Sequence, residues 1–73
     1  MPRLPRITGK QLVRVLREHG FQVVRIKGSH YRLRHADGRV TTVPVHAGEV
    51  IGPGLLRQIL RDTALTIDDL LNR

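Results

Sequence analysis

Three strand-like runs fall between Phe21 and Val45, and only two short glycine-bearing turns separate them. That spacing constrains the fold more than any other feature of the chain. The run Phe21-Gln22-Val23-Val24-Arg25-Ile26-Lys27 is rich in β-branched residues. Gly28-Ser29 breaks it. His30-Tyr31-Arg32-Leu33-Arg34-His35 then alternates, which puts Tyr31 and Leu33 on one face and His30, Arg32 and Arg34 on the other. Consecutive strands with loops this short form an antiparallel meander. The first run alternates poorly, which predicts that both of its faces are partly covered.

The second turn, Ala36-Asp37-Gly38, decides the register of the third strand, Val40 to Val45. A two-residue Asp-Gly loop would pair Ala36 with Arg39 and turn Val43 and Val45 onto the His30 face. A three-residue loop, with Gly38 left-handed, pairs His35 with Arg39 and brings both valines to the Tyr31/Leu33 face. Burying them is favourable by roughly 1.5–3 kcal/mol each, so the three-residue loop is predicted. His35 then falls on the buried side near the sheet edge, in a packing or surface role. Pro44 lacks a backbone donor, so the third strand lies at an edge or ends there.

Helices flank the meander. Thr8 and Gln11 have capping-box spacing, and Ile7 and Leu12 have hydrophobic-staple spacing. Leu12, Val13 and Leu16 form the apolar stripe of a helix over about 8–19, with Val15 at its margin. Lys10, Arg14 and Arg17 lie mostly away from that stripe. Gly20 is placed to end the helix in a left-handed conformation, and His19 in the last turn reads as structural. Pro53 suits the first position of a second helix over about 53–62, with Leu55, Leu56, Ile59 and Leu60 as its apolar face. Thr66 caps a short acidic helix, with Asp69 three residues on and Leu65/Leu70 at staple spacing. Helices on one face would cover the apolar side of the sheet, giving an α+β fold in a single domain over 1–73.

Charge narrows the function. The chain carries 13 Lys+Arg against 6 Asp+Glu, a net charge of +7. Ten of the basic residues lie in the first 39 positions, which hold only two acids. A polyanion, nucleic acid above all, is the natural partner of such a field. Phe21 and Tyr31 are the only aromatics, so recognition should lean on phosphates, with little base stacking. The chain has no cysteine, which fits a reducing compartment, and no apolar run approaches the ~20 residues of a membrane span. The N-terminus, Met1 to Arg6, has charge and proline but no apolar signal region. The reading is therefore cytoplasmic, with no membrane partner.

Chemistry concentrates at Lys27-Gly28-Ser29-His30-Tyr31. His30 is a group that titrates near neutral pH beside the fixed charges of Arg32 and Arg34. Such a histidine is also a common surface residue or turn ligand. His46, in the loop after the third strand, is either a second acid–base group or a plain loop residue. The histidines at 19, 30, 35 and 46 lack compact ligand spacing and have no cysteine to assist them, so no metal and no cofactor are expected. A glycine-bearing helix start at Gly52-Pro53-Gly54 could cradle a phosphate, but the motif is short and common.

Four pieces in order resemble the HicA toxins of bacterial and archaeal toxin–antitoxin pairs. They are Lys10-Gln11-Leu12 through Gly20-Phe21; Lys27-Gly28-Ser29-His30; Pro44 with His46; and Gly54-Leu55-Leu56-Arg57-Gln58-Ile59-Leu60. The resemblance runs from about Thr8 to Leu71. It implies a double-stranded-RNA-binding-domain-like α-β-β-β-α fold and an endoribonuclease that cleaves mRNA. It also implies a HicB-type antitoxin, the toxin being a monomer alone and hetero-oligomeric with that partner. The family's catalytic histidine falls on His30. The family often has threonine after the glycine that starts the second helix. Leu55 stands there in this chain, which weakens the case for a phosphate contact at that helix.

The expected mechanism is metal-independent. RNA supplies its own nucleophile, the 2′-OH, so the protein need only move protons and stabilise charge on the phosphate. His30 is the candidate general base or acid. Lys27, Ser29, Arg25, Arg32 and Arg34 are the candidate RNA-binding residues, and His46 the candidate second acid–base group. The alternative is a non-catalytic RNA-binding module of the same fold, since fold alone does not fix function.

Overall fold

The computed structural model describes residues 3–71. Residues 1, 2, 72 and 73, and with them the first two positions of the basic N-terminus, lie outside the described part. The elements run α1 (Gly9–Glu18), β1 (Phe21–Lys27), β2 (His30–His35), β3 (Val40–Pro44), α2 (Pro53–Thr63) and α3 (Ile67–Leu71). The three strands form one antiparallel sheet in the order β1-β2-β3. The order is the double-stranded-RNA-binding-domain-like α-β-β-β-α layout with a short helix appended.

The register follows the three-residue turn. The Gly38 N–H donates to the His35 carbonyl at 2.9 Å, and the His35 N–H to the Arg39 carbonyl at 2.8 Å. Gly38 has φ +99°, open to glycine at little cost. Tyr31 therefore opposes Val43, and Leu33 opposes Thr41. Leu33 and Val43 are fully buried, as burial of the valine side requires. β3 lies at the edge of the sheet and closes at Pro44.

Both long helices cover the Tyr31/Leu33 face. α1 packs on β1, β3 and α3, and α2 packs on β3. Thr8 caps α1 through the reciprocal Thr8/Gln11 box, with bonds of 3.0 and 3.2 Å. A second box joins Thr66 and Asp69 at the start of α3. Val15 is fully buried, not marginal: α3 also packs against α1, which widens the buried stripe. Leu55 is displaced from the apolar face of α2 and stands 41% exposed, because Leu56 and Ile59 point into the core with Leu60 at its margin. The segment before each long helix is shared. Thr8 bridges to Val50, and the Ile51 N–H donates to the Ile7 carbonyl at 2.8 Å. That pairing holds the N-terminal ends of α1 and α2 together.

Arg39 and His35 fasten the far end of the sheet. Arg39 holds Asp37 with bonds of 2.9 and 3.1 Å, donates to the Thr63 carbonyl, and lies over the Phe21 ring. His35 packs edge-on against the same ring. Thr41, buried on the helix side, donates to Asp62 of α2 at 3.0 Å. These polar contacts tie β3 to α2 without leaving any buried side-chain N or O atom unpaired among the described residues.

Candidate functional site

The sheet's other face has no helix over it, and its composition is set by one irregularity. β1 and β2 pair Gln22 with Arg34 and Val23 with Leu33. The next pair is Arg25 with Arg32, so Val24 is an extra residue. Strict alternation from Phe21 would send Val23, Arg25 and Lys27 toward the core. The bulge shifts the phase by one, so Arg25 and Lys27 emerge on the outer face opposite Arg32 and His30. Ile26 moves to the helix side, opposite Tyr31. The imperfect alternation of β1 thus has a cause other than two covered faces. Val24 and Ile26 are 55% and 56% exposed, and the expectation that β1 is covered on both sides is incorrect. Its irregularity comes from the bulge.

The outer face carries three cross-strand rows: Lys27, His30 and Pro44; Arg25, Arg32 and Thr42; Gln22, Arg34 and Val40. The cations and His30 are all exposed. Like charges directly opposite each other destabilise a sheet, and Arg25 faces Arg32. Among the described residues no acid lies within salt-bridge distance of Arg25, Lys27, Arg32 or Arg34. Arg32 donates to the Thr42 hydroxyl at 3.2 Å, which fixes its direction without neutralising it. The four cations therefore stand without a countercharge from the described residues.

At the His30 end the loop after β3 folds back onto the β1–β2 turn. The Val45 N–H donates to the Ser29 carbonyl at 2.7 Å. Ser29 Oγ and His46 Nε2 lie 3.3 Å apart, and Glu49 Oε2 lies 4.0 Å from His46 Nδ1. His46 thus sits between the Ser29 hydroxyl and the Glu49 carboxylate. Ser29 is therefore a contact of His46. His46 itself is exposed at the same end of the sheet as His30, since Pro44, two residues before it, opposes His30. The His30 ring has no hydrogen-bond or ion-pair partner among the described residues, which leaves both nitrogens open to a substrate.

The other two histidines are built into the fold. His19 Nδ1 meets the Val15 carbonyl at 2.9 Å, and its Nε2 lies 3.8 Å from Asp69. His35 packs edge-on against Phe21 beside Gly20. No three His, Asp or Glu residues are grouped as metal ligands among the described residues.

Sequence reasoning placed Arg32 and Arg34 with His30 by alternation. It included Arg25 and Lys27 only for their nearness in the chain. The bulge that brings them there had one trace in the sequence, the broken alternation at Val23-Val24. The Ser29–His46 contact had none, because the two residues are 17 apart.

The element order and the single covered face define a small domain of the double-stranded-RNA-binding-domain-like class. A family model described as the HicA toxin of bacterial toxin–antitoxin systems matches residues 9–65. The chain belongs to the HicA toxin family, that is, to the toxins of toxin–antitoxin pairs. The match begins at the first residue of α1, passes beyond α2, and includes every candidate site residue. No curated protein matches the chain. Among the described residues, no helix is long and apolar enough to cross a membrane.

Proposed function

We propose that this protein is the toxin of a type II pair, a metal-independent endoribonuclease that cleaves mRNA on the outer face of its sheet. The observation that carries the reading is the uncompensated group of Arg25, Lys27, Arg32 and Arg34 around an exposed, unpartnered His30. The cations hold the scissile phosphate and stabilise charge on it as the 2′-oxygen attacks. His30 takes the 2′-OH proton or delivers one to the leaving 5′-oxygen. His46 is the candidate for the other transfer, oriented by Ser29 and Glu49. Attack by the 2′-oxygen breaks the P–O5′ bond and leaves a 2′,3′-cyclic phosphate on one fragment and a 5′-hydroxyl on the other.

The same face explains how a partner would silence the enzyme. An antitoxin of HicB type needs to cover His30 and place acidic groups against Lys27 or Arg32. Charge complementarity of this kind speeds association and fixes orientation.

The deciding experiment follows labelled RNA with wild type and His30→Ala, in EDTA. Cleavage by wild type and loss of it in a folded His30→Ala protein supports the reading. RNA bound but uncut by wild type would instead make the chain a binding module.

A further inference from the structure

A concave surface lies on the opposite side of the sheet from His30. An open groove of about 750 Å³ runs between α1 and β2, with Lys10, Val13, Arg14, Arg17, Glu18 and Tyr31 in its lining. Lys10, Arg14 and Arg17 follow one another at i, i+4 and i+7, one stripe of the helix. All three are exposed, and none makes a salt bridge among the described residues. The floor is apolar, from Val13 and the half-buried ring of Tyr31. Ile26, opposite Tyr31 on the edge strand β1, is 56% exposed, so the helices leave this corner of the face open.

We propose that this groove is a second nucleic-acid subsite, which takes an unstacked nucleotide and its flanking phosphates from a single-stranded RNA whose scissile phosphate lies on the outer face. The proposal rests on RNA being the substrate. Three cations on a stripe suit consecutive phosphates, and a partly exposed aromatic ring suits a base. That combination is the chemistry of single-strand binding. Phe21, the other aromatic, is buried, so Tyr31 is the stacking surface this chain has. Glu18 offers an acceptor that a base amino group can meet and a phosphate cannot, which sets the polarity of the groove. Tyr31 and His30 are neighbours on opposite faces of one strand. A strand of RNA turning around the β1 edge would thus have its scissile phosphate at His30 and a base at Tyr31. An acidic protein segment would also be drawn to the cations. What favours the nucleotide over such a segment is the aromatic ring of Tyr31 set beside the three cations, a pairing that stacks a base and holds its phosphates.

The chain has one tyrosine and no tryptophan, so its intrinsic emission reports this groove alone. The probe is a 2′-O-methyl single-stranded RNA of about a dozen nucleotides carrying an end label, which binds but cannot be cut. Anisotropy of the label measures binding anywhere on the protein, and tyrosine emission measures stacking at Tyr31. We expect both signals to titrate together, with emission quenched. The variant Lys10→Gln/Arg14→Gln/Arg17→Gln should lower the salt slope by roughly 2, at about 0.7 per phosphate. Tyr31→Leu should weaken binding roughly 5- to 150-fold. Anisotropy that rises while tyrosine emission stays constant, with the triple variant binding as tightly as wild type, would overturn the subsite and leave the RNA reading standing. No anisotropy change at all would overturn the RNA reading and this proposal with it. A triple variant that binds RNA normally but no longer binds its antitoxin would make the groove a protein-docking surface and also refute the proposal.

Discussion

Replacing Gly9 by alanine tests how closely the fold and the candidate site are joined. A Cβ built on Gly9 would lie 2.1 Å from the Pro44 carbonyl oxygen and 3.0 Å from Val45 Cα. An ordinary carbon–oxygen approach is about 3.3 Å or more, so the new methyl is roughly 1.2 Å too close. The obstructing atoms are backbone and cannot rotate away. Helix propensity and unfolded-state entropy favour alanine over glycine by about 0.4–1 kcal/mol. Overpacking against a fixed neighbour costs about 1–3 kcal/mol, and the size of this overlap puts the cost near the upper end. The steric term wins, and the net loss is about 2 kcal/mol. In a domain of this size each kcal/mol moves Tm by about 4–8 °C, so Gly9→Ala should melt roughly 8–16 °C below wild type. Gly54→Ala is the control. Its Cβ would meet nothing within 4 Å, and it sits in the first turn of α2, so it should gain about 0.4–1 kcal/mol. Thermal and urea unfolding followed by circular dichroism read both. A Gly9→Ala protein as stable as wild type would refute the steric account, because the close approach of α1 to β3 would then not be a fixed feature of the fold. Relief of the clash by moving Pro44 and Val45 would also shift His46, so residual activity should fall further than stability alone accounts for.

Further outcomes can be checked on the same protein. His30→Ala should lower the rate of RNA cleavage by ~10²–10⁴ while Tm and RNA affinity hold, since the residue is exposed and unpartnered. Arg32→Gln with Arg34→Gln should flatten the salt dependence of RNA affinity by roughly 0.7 for each phosphate no longer neutralised, and an unchanged slope would place the RNA elsewhere. Deleting Val24 removes the bulge residue and leaves Arg25 opposite Arg32 by plain alternation. Because Val24 is exposed, the deletion variant should fold with stability within about 1 kcal/mol of wild type, and a deletion that unfolds the protein would show that the bulge itself is required. Asp37 is held below the usual carboxylate range, first by its side-chain hydrogen bond with Arg39 and then by the Arg39 backbone N–H. A depressed folded pKa gives stability that is present above the unfolded value and lost as pH falls through the folded one. The stability gap between wild type and Asp37→Asn should therefore be full at neutral pH and close below about pH 4. A gap that stays constant through that range would show that the ionised carboxylate contributes nothing.

How much was legible in advance depended on how far apart the interacting residues are. Helix ends could be read because capping is local: Thr8 with Gln11, and Thr66 with Asp69, are three residues apart. The register of β3 was also legible, because a tight turn admits few geometries and only one of them buries Val43. His30 with Arg32 and Arg34 followed from the two-residue period of a strand. Val15 and Leu55 were misassigned because their burial depends on where α3 and the core lie, which periodicity within one helix does not specify.

The sequence by itself determined the element order, the register of β3 on β2 and the alternating cationic face of β2, because each rests on contacts within a few residues. Only the tertiary structure decided the rest. A bulge at Val24 turned Arg25 and Lys27 onto the His30 face, the return of the β3 exit loop set His46 against Ser29, and the placement of α1 opened a groove beside Tyr31. Apart from the broken alternation at Val23-Val24, these arrangements join residues whose separation along the chain carries no local signal. They are settled by which packing buries Leu12, Leu33 and Val43 together, a property of the whole chain.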